Sequence, residues 1–158
     1  MANIRGSFSV EGTAQVLKAL RELPSAIQGP ALQAGIREGA KVVRDSARSL
    51  APVDTGRLRR NIIITRVKAI GITDVAGFVM VRKLTQRQIT KFKQRTKKAA
   101  TENPQDAFYW RFLEFGTARL KARPFMRSGF DQSKEKAAGA VREGLRKAID
   151  AAVKKLAK

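Results

Sequence analysis

The chain has 158 residues, 43% of them hydrophobic and 29% charged, which suits one domain with a single core and argues against intrinsic disorder. It contains no cysteine and no histidine, which excludes a disulfide framework, thiolate chemistry and every triad built on imidazole, so an enzyme is a poor expectation. Thirty-three Lys and Arg against thirteen Asp and Glu leave a net charge of +20, a field that draws polyanions or acidic protein surfaces without choosing between them.

Ile4, Phe8 and Val10, with Ser7 and Ser9 interleaved, predict a first strand. Gly12-Thr13 offers a cap, and Val16, Leu17, Leu20 and Leu23 recur at helical spacing until Pro24. A second helix is predicted from Ser25 or Pro30 to Leu50, with Leu32, Ile36, Ala40, Val43 and Ala47 on one face and Arg37, Lys41, Arg44 and Arg48 on the other. Ala51-Pro52 stops it, and Asp54-Thr55-Gly56 makes a turn into Arg57, Leu58 and Arg59. The β-branched run at 62–67 and the segment 72–81 then read as the two strands of a hairpin.

No acid falls between Asp74 and Glu102, while Arg82, Lys83, Arg87, Lys91, Lys93, Arg95, Lys97 and Lys98 all do. With Leu84, Ile89 and Phe92 as its only large apolar residues, this stretch reads as a basic, mobile insertion at 82–104 rather than core. Most of the aromatic mass follows at 107–113, including Tyr109 and the only Trp. From Phe125 a long last helix is predicted, with Val141, Leu145, Ile149 and Val153 on its apolar face and Gly139 and Gly144 placed for close packing. The order implies one domain, 1–158. It is an α+β fold, a mostly antiparallel sheet packed by two to three helices, with a long C-terminal helix and a basic hairpin insertion. The N-terminus has no signal-like apolar run and no stretch approaches a membrane span, so the protein is expected to begin in the cytoplasm and to involve no membrane.

Asp54-Thr55-Gly56 is the one tripeptide that invites a catalytic reading, because retroviral-type aspartic proteases pair two such carboxylates. Those proteases set the triplet at the end of an apolar strand, whereas here a helical stripe precedes it and arginines follow, which favours a turn that caps backbone N–H groups. Glu114 lies between Leu113 and Phe115, an apolar setting of the kind used for general acids. No second carboxylate matches it, and an ion pair with Arg119 or Arg123, or contact with a neighbouring subunit, is the simpler reading. No acidic cluster has metal-ligand spacing and no phosphate-binding glycine loop is present, so neither metal nor cofactor is expected. The basic run leaves three uses open: duplex phosphates, an acidic protein neighbour, or a solvated loop. Of the three, the acidic protein neighbour is the favoured expectation.

Pro52, Asp54-Thr55-Gly56 and Leu58-Arg59, followed by Glu114-Phe115-Gly116-Thr117 and Pro124-Phe125, form a pattern in order and spacing that resembles the neck or tail-completion proteins of long-tailed bacteriophages. The chain departs from that pattern at Ser128, where relatives often carry proline, and in the length and basicity of the 82–104 stretch. The resemblance implies a non-enzymatic virion protein, assembled in the host cytoplasm, that joins a ring, hexameric by expectation, at the head–tail junction. It would complete the tail or connect it to the head, let DNA pass, and touch copies of itself, head-closure or connector proteins, tail terminator or tail-tube proteins, and duplex DNA. Tyr109, Glu114, Phe115, Gly116, Thr117, Pro124 and Phe125 would serve fold and interface together, with Phe115, Phe125 and Trp110 as anchors. The alternative from another class is a small basic nucleic-acid-binding protein.

Overall fold

A computed structural model of the protein describes residues 25–65, 68–69 and 75–156. The strand expected at 4–10 and the helix expected at 13–23 lie outside these residues. In chain order the elements are α1 (Ser25–Leu50), α2 (Arg57–Asn61), β1 (Ile62–Ile64), β2 (Lys68–Ala69), β3 (Val75–Ala76), β4 (Val79–Val81), α3 (Gln86–Thr96), a 3-10 turn (Ala100–Glu102), α4 (Trp110–Phe115) and α5 (Phe125–Leu156). The architecture is α+β, with a small antiparallel ladder and a long C-terminal helix.

Helices α1 and α5 form the frame and run antiparallel, and small residues on their facing stripes let the backbones approach. A Cβ built on Gly129 would come within 2.7 Å of the Ala47 Cα, and one on Gly144 within 3.1 Å of the Gly35 Cα. Gly144 therefore does permit close packing, as expected, whereas the space beside Gly139 is open and that glycine is not used this way. Toward the start of α1, Ala31 and Leu32 bury against Leu145, with Val141, Ala148 and Ile149 alongside. Val153, placed on the apolar face by its spacing, is 49% exposed.

At the other end of α1 lies the larger core. Ala47, Ala51, Leu58, Ile62, Val81, Ala107 and Phe125 are buried together, and Tyr109, Trp110, Leu113 and Met126 pack on their margin. Strand β1 pairs with β4 through Ile62↔Val81, Ile63↔Met80 and Ile64↔Val79, and β2 pairs with β3 through Lys68↔Ala76 and Ala69↔Val75. Both pairings are antiparallel, as the expected hairpin requires. Three residues separate the two ladders on one strand and two on the other, so the register shifts by one between them. The period of two puts Ile62 and Val81 inward and leaves Met80 exposed.

The 82–104 insertion takes a helical form where it is most basic. Thr85 and Gln88 form a capping box in which the Gln88 N–H donates to Thr85 Oγ1 at 3.4 Å and the Thr85 N–H to Gln88 Oε1 at 2.9 Å. Lys97 closes the helix in the left-handed region at φ 58°. No residue of α3 is buried, and Leu84, just before it, anchors the segment to the body.

Candidate interaction surfaces

The first motif is a clasp on the C-terminus of α1. The last carbonyls of a helix have no partner within it, and Arg59 supplies one, donating from Nε to the Arg48 carbonyl at 2.8 Å and from Nη2 to the Ser49 carbonyl at 3.3 Å. Arg48 in turn donates from Nη2 to the Ile62 carbonyl at 2.7 Å, tying α1 to β1. Gly56 makes the reversal at φ 69°, and Thr55 accepts from the Arg57 N–H at 3.4 Å. Buried Asn61 donates to the Arg57 and Pro104 carbonyls at 2.9 and 3.3 Å. Leu58 fills the core while Asp54 stands exposed in a bend, two residues after Pro52, rather than at a strand end. Among the described residues no group of acidic side chains could hold a metal ion.

The second motif is a latch. Helix α5 starts directly after Arg123-Pro124, neither of which offers a side-chain oxygen for its free N–H groups. Glu114, reaching across from α4, takes that role. Its Oε2 accepts from the Phe125 and Met126 N–H groups at 2.8 and 2.9 Å, and its Oε1 accepts from the Arg127 N–H at 3.1 Å. The carboxylate is fully buried, its charge meeting the positive end of α5 and the Arg127 guanidinium at 3.4 Å. Its ion-pair partner is therefore Arg127, not Arg119 or Arg123. Gly116 ends α4 at φ 76°, where a Cβ would come within 2.8 Å of the Leu120 carbonyl oxygen. Thr117 Oγ1 accepts from the Leu120 N–H at 3.0 Å, and the Arg123 N–H returns to the Leu113 carbonyl at 2.7 Å. Glu114, Gly116 and Thr117 thus build one connection between α4 and α5.

The expected interface anchors separate into two groups. Phe125 is 1% exposed within the single chain and belongs to its core, and Tyr109 and Trp110 are partly buried against that core. They cannot all be outward anchors. Phe115 is 46% exposed, and Phe108 and Phe112, which the sequence reading did not single out, are 47% and 51% exposed. Phe112 and Phe115, three apart, lie on the face of α4 opposite Trp110, Leu113 and Glu114, and Phe108 sits in the turn just before the helix. Phe108 stacks edge-on against Tyr109 with centroids 5.7 Å apart, and the Arg127 guanidinium lies 5.5 Å from the Phe115 ring. The i, i+3 pair of Phe112 and Phe115, with Phe108 close by in sequence, was the available signal for this stripe.

The eight basic residues between Arg82 and Lys98 are brought onto α3 and its two flanks. Lys83, Arg87, Lys91, Lys93, Arg95, Lys97 and Lys98 are exposed and Arg82 is half-buried beside β4. Ile89, Phe92 and Thr96 turn toward the body. No ion pair among the described residues involves α3.

Residues 14–116 match the family described as "Bacteriophage HK97-gp10, putative tail-component". The chain belongs to this family of phage tail components, which places it in the virion. No curated protein and no solved structure matches the chain. The matched span holds the clasp, the hairpin, α3 and the Glu114-Phe115-Gly116 corner, and stops before α5.

Proposed function

We propose that the protein is a structural subunit of a homo-oligomeric ring, a hexamer, at the phage head–tail junction, where it completes the tail's head-proximal end or connects it to the head and leaves a passage for DNA. The observation that carries this reading is the outward stripe of Phe112 and Phe115 on α4, extended by Phe108 in the turn before it. Three half-exposed aromatic rings in a row lose free energy to water, and aromatic anchors of this kind are what protein interfaces bury. A second copy of the chain is the occupant a closed ring needs, and the rigid latch behind the stripe holds the rings in a fixed direction. Head-closure or connector proteins on one side and terminator or tube proteins on the other would complete the neighbours. The same side chains do no chemistry in this reading: Glu114 caps a helix and Asp54 sits in a turn.

The test is assembly. Purified protein should form discrete six-membered rings by mass photometry and negative-stain imaging, and the double substitution Phe112→Ser with Phe115→Ser should return monomers with an unchanged circular dichroism spectrum. Virions assembling in normal yield from the double variant would refute the reading.

A further inference from the structure

We propose that α3 is a phosphate-gripping helix that lies along the backbone of duplex DNA, with Arg87, Lys91 and Arg95 as its contact row. These residues follow one another at i, i+4 and i+8, so they form a single line spaced about 6 Å per step along the helix. All three are exposed on the side of α3 away from half-buried Ile89, and Lys91 and Arg95 also border the shallow groove that Phe92 shares with Asn103, Pro104 and Gln105. Exposed Thr90 and Gln94 lie beside it and add hydrogen-bond donors. Like charges at i, i+4 spacing repel and weaken an isolated helix. Here no acid stands between Asp74 and Glu102 to relieve them. A row of that kind is held in place by a capping box at its root and lacks only its counter-charge.

An acidic protein surface would supply that charge, but the outward face of α3 has no large apolar residue, and protein interfaces carry apolar or aromatic anchors while lysine is depleted from them. The chain has such anchors on α4 instead. Arg, Lys, Thr and Gln side chains without apolar company are the set that grips phosphates, in interfaces that are polar and strongly positive. Single strands are a poorer match, because Phe92, the segment's only aromatic, is half-buried and offers no open stacking platform. Phosphate contacts of this kind carry no sequence information and permit sliding, which suits DNA that must move past the protein.

The inference goes beyond the ring reading and is measured on the purified full-length chain whether or not a ring forms. Binding of a 30-base-pair duplex would be followed by fluorescence anisotropy from 50 to 200 mM salt. Replacing Arg87, Lys91 and Arg95 by Gln should reduce the log–log salt slope by about 2.7, so that over this range the unaltered protein loses about 40-fold more affinity than the variant. Replacing exposed Lys134, Lys136 and Arg146 on α5 by Gln removes the same formal charge and should leave the slope nearly unchanged. Equal losses in the two triple variants would mean binding by overall charge alone and would overturn the proposal. An unchanged slope in the α3 variant would also overturn it, and if that variant then failed to build virions the occupant would be an acidic protein.

Discussion

At the α4–α5 junction one buried carboxylate meets three backbone N–H groups and a guanidinium, while along α3 Arg87, Lys91 and Arg95 face water with no carboxylate paired to them. Both regions are rich in charge for their size, yet the first uses it to close the fold and the second leaves it for something outside. Burial makes the difference. A charge removed from water must be matched by donors at once, because desolvation is costly. An exposed charge carries no such requirement and is free to be matched by a partner.

The comparison would break first at Phe125, which the same junction places in the core. Phe125→Ala should lower stability by about 4 kcal/mol, read as a reduced urea midpoint with an unchanged slope, since truncating a buried Phe removes contacts and leaves a cavity. A change below about 1 kcal/mol would mean that the core around Ala47 and Ile62 is not as described.

Glu114→Ala should cost about 3 kcal/mol, because it strands three donors at the start of α5, and Glu114→Gln should fall between the two, since its one carbonyl oxygen can serve only part of the set. Hydrogen exchange at Phe125, Met126 and Arg127 should speed up in both variants. Unaltered exchange there would remove the latch from the account.

A third substitution sharpens the contrast on the outward side. Phe112→Ser should change the stability of the single chain by less than about 0.5 kcal/mol, the range for surface positions, while weakening assembly. Equal losses of stability for Phe112→Ser and Phe125→Ala would mean that the stripe is part of the fold.

The smallest effect concerns an ordinary surface pair. The Arg44 guanidinium, bonding to Asp45 at 2.8 Å, holds that carboxyl below its usual range and is itself raised. A depressed folded value means that the contribution is present above the unfolded carboxyl's pKa and is lost as pH falls through the folded one. Both side chains reach solvent, so Asp45→Asn should cost less than about 1 kcal/mol near neutral pH, and the deficit should shrink in acid denaturation series.

Much of this was legible in the residues. The helical stripe through Leu32 and Ala47, the stop at Pro52, the hairpin of 62–81 and the long helix from Phe125 follow from periodicity and breakers, which act locally. The capping box of Thr85 and Gln88 was a signal the charge run overshadowed, and where a basic insertion was expected the structure has a helix. Interface anchors were harder. Phe115 and Phe125 look alike in sequence, each an aromatic beside a turn residue, yet one is half-exposed and the other sealed in the core.

By itself the sequence determined which segments could be helix or strand, where the chain had to turn, and that no imidazole or thiol chemistry was possible, because these depend on residue type and near neighbours. Only the tertiary structure decided that Glu114 caps α5, that Arg59 closes α1, and that Gly144 but not Gly139 meets a facing helix. Each of these is a contact between residues on different elements, ten or more positions apart in the chain. A carboxylate's partner depends on which backbone is brought within about 3 Å of it, and spacing along one chain does not encode that distance.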